Sequence, residues 1–140
     1  MDSTNILAEK RLKVTPCRID VLNYLRRCGR AVGQPELQKF FEGKYDRVTL
    51  YRTLHTFLKV DLVHTITNND NGTIMYALCN HSMHVANSNH NHLHFKCLKC
   101  NTITCLNEIE LQNFILPQGY NLKTLQIIAI GECPQCTFNK

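Results

Sequence analysis

Residues 46–59, DRVTLYRTLHTFLK, decide the fold of this chain, because they form its clearest helical pattern. Asp46 is a strong N-cap residue, and apolar side chains then recur at near-helical spacing from Arg47 to about Lys59. The pattern predicts a helix whose buried face consists of Val48, Leu54, Phe57 and Leu58.

Two β-rich runs follow this helix, at residues 62–67 and 73–78, and the segment Asn68-Asn69-Asp70-Asn71-Gly72 between them suits a hairpin turn. Upstream, Thr15-Pro16 supplies an N-cap and a first-turn proline for a helix that runs to Arg27. A shorter helix fits residues 35–41 with Leu37, Phe40 and Phe41 inward. Three helices followed by a hairpin predict a winged helix-turn-helix.

In that fold the third helix enters the DNA major groove, while surrounding basic and hydroxyl side chains hold phosphates. The polar face of this helix and the basic start of the domain provide the predicted DNA-binding residues: Lys13, Arg18, Arg47, Thr49, Tyr51 and Arg52. A merely solvated polar face is the alternative interpretation. The charge favours DNA, because residues 1–78 hold 12 of the 16 Lys and Arg residues and a net charge of +4.

The composition is that of a cytosolic protein. Hydrophobic residues make up 44% of the chain and charged residues only 19%, which predicts a packed core rather than disorder. No apolar run approaches the roughly 18 residues that span a bilayer, and the first residues lack the basic-then-apolar order of a signal peptide. We therefore expect a cytoplasmic protein with no membrane partner.

The chain has eight cysteines, and in a reducing compartment such a number favours a metal site over disulfides. Six of them, and five of the seven histidines, lie in residues 79–140. Charge and metal ligands are thus segregated along the sequence. This segregation predicts a DNA-binding domain at residues 1–79, a polar hinge or linker at 80–90 and a metal-binding domain at 91–140.

Two Cys-x-x-Cys pairs, Cys97/Cys100 and Cys133/Cys136, are separated by 32 residues. Each pair can give two thiolates to one ion, and two pairs complete a tetrahedral, structural Zn²⁺ site. Two unrelated redox dithiols or ordinary buried cysteines are the alternatives, and both are disfavoured because the paired spacing occurs twice. Cys17 and Cys28, in or beside a helix, are predicted core residues.

His90, His92 and His94 alternate along a predicted strand, which would present the three imidazoles on one face. Between the cysteine pairs, residues 107–110 have the form of a capping box and predict a short helix, and residues 122–130 are β-rich. The predicted fold class is therefore α+β, with a winged helix-turn-helix domain followed by a small α/β domain that contains the four-cysteine zinc site.

Four segments carry a joint family signature: Leu12-Lys13-Val14-Thr15-Pro16-Cys17-Arg18, Val48-Thr49-Leu50-Tyr51-Arg52-Thr53-Leu54, His92-Leu93-His94-Phe95-Lys96-Cys97-Leu98-Lys99-Cys100, and the Cys133/Cys136 pair. Through them the chain resembles the ferric uptake regulator superfamily of metal-responsive repressors over nearly its whole length. The resemblance implies a homodimer whose C-terminal domain is the dimerisation domain, with a structural zinc and a separate regulatory metal at the hinge. It also implies that Tyr51 and Arg52 contact DNA and that Lys13 lies near the minor groove.

Departures from the iron-sensing members bear on the regulatory metal. Ala31 and Ala77 stand where those members are expected to have a histidine and a glutamate, whereas His64 and Cys79 look like the zinc-sensing branch. The resemblance implies these regulatory ligands: His64, Cys79, His92 and His94, with His90 and Cys105 as substitutes. Such nitrogen and sulfur donors suit Zn²⁺ better than Fe²⁺ or Mn²⁺, the alternative ions. The competing interpretation makes His64 a surface residue and Cys79 a small buried one.

The expected function is a metal-dependent DNA-binding repressor that senses zinc and binds a palindromic operator in double-stranded DNA as a homodimer. An iron or peroxide sensor of the same superfamily is the nearest alternative. A zinc hydrolase would need a carboxylate beside the histidines as general base, which the sequence lacks, and a thiol oxidoreductase would need free Cys97 and Cys100 thiols. We do not expect an enzyme.

Overall fold

The computed structural model describes residues 1–79, 92–111, 115–123 and 125–139. The chain divides into two compact units, Met1–Cys79 and Asn80–Lys140. The predicted linker at residues 80–90 lies outside the described residues, and so does His90.

The first unit contains four helices and a three-stranded sheet. Its elements are α1 (Ser3–Glu9), α2 (Pro16–Cys28), β1 (Val32–Gly33), α3 (Gln34–Phe40), α4 (Arg47–Lys59), β2 (Val63–Thr67) and β3 (Ile74–Leu78). The strands are antiparallel in the order β1-β3-β2. The three predicted helices and the hairpin are thus present, and α1 and the two-residue β1 are additions that the sequence pattern did not predict.

Local hydrogen bonds fix the ends of the two long helices as the sequence predicts. The Thr15 side chain accepts a hydrogen bond from the Arg18 amide at 3.4 Å at the start of α2, and Gly29 ends this helix with a φ of 61°. At the start of α4 the Asp46 carboxylate accepts a hydrogen bond from the Thr49 amide at 2.7 Å. Both caps satisfy amides that the first helical turn leaves without intrahelical partners.

The core of the first unit lies between the helices and the sheet. Its fully buried side chains include Leu7, Val21, Leu22, Leu25, Val32, Leu37, Leu50, Leu54, Phe57 and Val63. The predicted core residue Cys17 is 6% exposed, and its Sγ lies 3.4 Å from the Thr53 hydroxyl oxygen. Cys28 is partly buried against the same core.

Two residues predicted to point inward lie on the surface instead. Val48 is 54% exposed, because Leu50 rather than Val48 occupies the buried face of the first turns of α4. Phe40 is 52% exposed, whereas its neighbour Phe41 is buried. The Phe40 ring nevertheless has partners, since its centroid lies 4.3 Å from that of Tyr24.

The second unit is built on one small mixed sheet. Its elements are β4 (His92–Cys97), β5 (Ile103–Glu110), β6 (Ile128–Gly131) and α5 (Pro134–Phe138). The strand order is β5-β4-β6, with β5 antiparallel and β6 parallel to β4. Gly131 allows close packing on β6, because a Cβ there would lie only 3.1 Å from Cζ of Phe95, which would have to shift.

The helix predicted to begin at Asn107 is wrong. Residues 107–110 belong to β5, Leu111 and Ile115 lie outside any helix, and residues 112–114 are not among those described. A capping box is a local preference, and pairing with β4 overrides it here. Among the described residues of the β-rich run 122–130, only residues 128–130 belong to a strand, β6.

The second unit has few buried apolar side chains. Among its described residues only Cys97 and Ile103 belong to the buried hydrophobic core. Among the described residues of the whole chain, no helix is long and apolar enough to cross a membrane.

Candidate functional site

Four cysteines converge where two parallel strands of the second unit end. β4 ends at Cys97, and the turn that follows carries Cys100. The next residue, Asn101, adopts a left-handed φ of 58°, and its amide donates to the Cys97 carbonyl at 2.9 Å. β6 ends at Gly131, and Cys133 then caps α5, whose first turns carry Cys136.

The four sulfur atoms have the spacing that a tetrahedral zinc site needs. All four Sγ atoms lie within 4.8 Å of one another, and those of Cys100 and Cys133 are 3.9 Å apart. Zn–S bonds of about 2.3 Å in a tetrahedron place sulfur atoms about 3.8 Å apart. The set therefore fits a closed, four-thiolate Zn²⁺ site.

The surroundings stabilise the thiolate form of Cys97 and Cys100 but not that of Cys136. Amides of Cys100 and Cys133 directed at the Cys97 sulfur lower the pKa of that thiol to about 6. Hydrogen bonding to the Thr102 side chain, and to its amide, lowers the pKa of Cys100. The hydrogen bond to Cys133 and burial raise the pKa of Cys136 to about 12. A Zn²⁺ ion bound by all four sulfurs would require the thiolate form of each, including Cys136.

An ion pair links the segments that carry the two Cys-x-x-Cys pairs. Lys99, inside the first pair, lies 3.0 Å from the Glu132 carboxylate, just before the second pair. Both side chains are nearly half exposed, so the ion pair contributes little stability by itself. The sequence predicts neither this ion pair nor the hydrogen bond between Cys100 and Thr102, because neither belongs to a recognisable motif.

A second cluster of ligand atoms in this unit is formed by His92, His94 and Cys105. His92 and His94 lie two residues apart on β4 with ring centroids 4.5 Å apart, and Cys105 pairs with His94 across the β4–β5 ladder. Their ligand atoms lie within 4.8 Å of one another. Nδ1 of His94 donates to the Ile127 carbonyl at 3.3 Å, which leaves the lone pair on Nε2, a common arrangement in metal-binding histidines. Burial raises the pKa of the Cys105 thiol to about 12.

The first unit carries a histidine and a cysteine in contact. His64 lies on β2 and is only 5% exposed, and its Nδ1 is 3.4 Å from Sγ of Cys79, which directly follows β3. A nitrogen and a sulfur bound to one tetrahedral zinc lie about 3.6 Å apart. This pair therefore also fits a shared ion. His64 is buried, which contradicts the competing interpretation that it is a surface residue.

The predicted DNA-binding residues lie on α4, in the segment before α2 and in the first turn of α2. Arg47, Tyr51 and Arg52 are exposed on α4, and Thr49 is half-buried. Lys13 is exposed, and its carbonyl accepts a hydrogen bond from the Arg18 guanidinium at 2.7 Å. This hydrogen bond from Arg18 therefore stabilises the backbone conformation at Lys13.

The sequence matches the profile of the ferric uptake regulator family over residues 9–129, most of the chain. The chain belongs to the ferric uptake regulator family. Members of this family are metal-responsive transcriptional regulators and not enzymes. No curated protein sequence matches the chain directly.

Solved structures of ferric uptake regulator family proteins share the fold at low identity. A zinc uptake regulator complexed with zinc and DNA is 22% identical, with a TM-score of 0.66, over 96% of this chain and 89% of that one. The ferric uptake regulator of Vibrio cholerae is 21% identical, with a TM-score of 0.61, over 94% and 100%. A zinc-bound manganese uptake regulator is 17% identical, with a TM-score of 0.61, over 93% and 98%. These similar scores span regulators named for three metals, so the fold does not identify the metal.

Proposed function

We propose that this chain is a zinc-responsive repressor, which binds a palindromic DNA operator as a homodimer when a regulatory Zn²⁺ is bound. The contact of His64 with Cys79 carries the proposal, because their 3.4 Å separation matches two donors on one tetrahedral ion. The cluster of His92, His94 and Cys105 supplies the further donors. The four-cysteine site would hold a separate, structural Zn²⁺.

The donor chemistry favours zinc over iron or manganese. The proposed regulatory set consists of imidazole nitrogens and thiolate sulfurs, whereas carboxylate oxygens suit Mn²⁺ better. Ala31 and Ala77, which stand where an iron sensor is expected to have ligands, are buried and have no donor atoms on their side chains. A ligand set with sulfur therefore favours zinc over iron as the regulatory metal.

The regulation follows from the division of the ligands between the two units. His64 and Cys79 belong to the first unit, and His92, His94 and Cys105 belong to the second. Under the proposal, a shared ion favours the arrangement of units in which both sets reach it. If that arrangement is the one that binds DNA, zinc and DNA must tighten each other's binding by the same factor.

The homodimer is supported by the surface of the second unit. Large apolar side chains are exposed there despite the unit's small core, namely Leu98, Ile109, Ile115, Leu116, Tyr120, Leu122, Ile130 and Phe138. Exposed apolar side chains on a unit with so small a core favour burial against a second subunit. A two-fold dimer would present two copies of α4 to a palindromic operator.

Operator binding in zinc-buffered solution tests the proposal. The full chain, loaded with one Zn²⁺ in the four-cysteine site, is titrated with duplex DNA at fixed salt while free zinc is varied. In regulated proteins one ligand commonly changes the affinity for another by about 5–150-fold. We expect zinc to raise the affinity for DNA by a factor in that range. His92→Ala and Cys79→Ser should abolish the increase while leaving one zinc per chain.

Cys28→Ser is the matched control, because Cys28 is a partly buried thiol that no proposed site uses. It should retain the full zinc response. A larger response to Fe²⁺ or Mn²⁺ at matched free concentration would reassign the chain as an iron or manganese sensor. Cys105→Ser in the same titration shows whether the Cys105 thiol is a further ligand beside Cys79.

A further inference from the structure

The outer side of α4 presents an apolar side chain among its charged and polar ones. Val48 lies in the first turn of the helix and is 54% exposed. One turn further, Tyr51 is 49% exposed, and its ring stacks on that of His55 with centroids 5.8 Å apart. Arg52 is exposed beside them.

Helix geometry keeps Val48 on the outside. Leu50, Leu54 and Phe57 are fully buried and define the inner face of α4. At about 100° per residue, Val48 lies roughly 200° around the helix from Leu50, which is nearly opposite. No rotation of α4 buries Val48 while keeping these three side chains in the core, so its exposure is built into the packing.

The charges around Val48 indicate the kind of partner that this face receives. Arg47 precedes it and Arg52 follows four residues later, on the same side of the helix. Asp46 is the one acidic residue in residues 46–59, and its carboxylate is engaged by the Thr49 amide at 2.7 Å. A surface with two arginines and a capped carboxylate complements a polyanion, which favours duplex DNA over an apolar protein partner.

We infer that Val48 is a specificity-determining residue that contacts the C5-methyl group of a thymine in the major groove. The inference rests on the proposed DNA-binding function and adds a base preference to it. Residues near the start of a recognition helix reach base edges, and the thymine methyl is the apolar group on those edges. Val48 occupies that part of α4, whereas the arginines are suited to phosphates or guanine.

The test uses thymine-to-uracil replacement, which removes only the methyl group. A preferred duplex is first selected from a random pool with the full-length, zinc-loaded protein, and each thymine of a half-site is then replaced singly by uracil. One methyl group buried at an interface corresponds to about fourfold in affinity. We expect wild type to lose about fourfold at one thymine per half-site, and Val48→Ala to bind the thymine and uracil duplexes equally there.

Val48→Ile should retain the preference, since it keeps the branched apolar contact. Ile74→Ala is the control, because Ile74 on β3 is similarly exposed, at 51%, but lies on another element. It should leave the thymine-to-uracil ratio unchanged even if total affinity changes.

If the ratio of affinities for the thymine and uracil duplexes is equal for wild type and Val48→Ala at every position, the inference is overturned. That result would leave the proposed DNA binding intact. Selection that yields no preferred duplex would overturn the proposed operator recognition, and this inference with it. A single position at which the ratio depends on residue 48 would support both.

Discussion

Removing the proposed zinc staple, the ion that Cys97, Cys100, Cys133 and Cys136 would bind, should loosen β6 of the second unit while leaving the helical core of the first unit intact. Cys133→Ser deletes one of the four sulfurs that lie within 4.8 Å of one another. The second unit has little else to hold β6 against β4, because Cys97 and Ile103 are its only buried core hydrophobics among the described residues. Small units of this kind depend on metals or disulfides.

The magnitude follows from the length of chain that the staple closes. Between Cys100 and Cys133 there are 32 residues. The chain-entropy relation for a cross-link gives about 3.7 kcal/mol for a loop of about 34 residues, and a metal clip restricts the unfolded chain in the same way. Opening of β6 should then become easier by about 500-fold in its equilibrium constant.

Hydrogen exchange measures this opening segment by segment. Peptides that cover β6 should exchange about 500-fold faster in Cys133→Ser than in wild type, and zinc content should fall by one ion per chain. Peptides that cover α4 should be unaffected, because α4 packs in the separate core of the first unit. Cys28→Ser controls for the loss of a thiol that binds no metal.

Two results would refute the reasoning. Unchanged exchange in β6 after the zinc is lost would show that strand pairing alone holds this unit. Equal acceleration in α4 and β6 would show that the two units open together, so the staple could not be assigned to the second unit.

Three further predictions concern the first unit. Leu50→Ala should lower the free energy of unfolding by about 2–5 kcal/mol, because Leu50 is fully buried. Val48→Ala should change it by less than about 0.5 kcal/mol, because Val48 is exposed, and urea titration measures both values. Asp46→Ala should cost about 1 kcal/mol by loss of the α4 cap, and Asp46→Asn should restore most of it in the same titration. The Arg30 guanidinium, through its hydrogen bonds, and Tyr24 lower the pKa of Glu36, so the stabilisation is present above the ordinary glutamate pKa and is lost as pH falls through the lowered value. Thermal melts between about pH 5 and pH 2 should therefore show a weaker loss of stability for Glu36→Gln than for wild type, and parallel curves would contradict the assignment.

Features that depend on neighbouring residues in the chain were predictable. Thr15 and Asp46 cap α2 and α4 because a cap needs only a side chain and an amide three residues on. The two Cys-x-x-Cys pairs were equally predictable, because the spacing within each pair is enough to bring two sulfurs to one ion. The structure adds that the pairs meet, because β4 and β6 run parallel and end side by side.

The sequence by itself therefore determined helices α2, α3 and α4, the β2–β3 hairpin and the two Cys-x-x-Cys pairs, because each is governed by interactions within a few residues. Only the tertiary structure decided which residues of α4 face outward and that residues 107–110 belong to strand β5. Apolar residues at positions 48, 50, 54, 57 and 58 are compatible with more than one helical face, and only packing against α2 and the sheet selects one. Strand pairing likewise joins residues far apart in sequence, and its free energy outweighs a local capping preference.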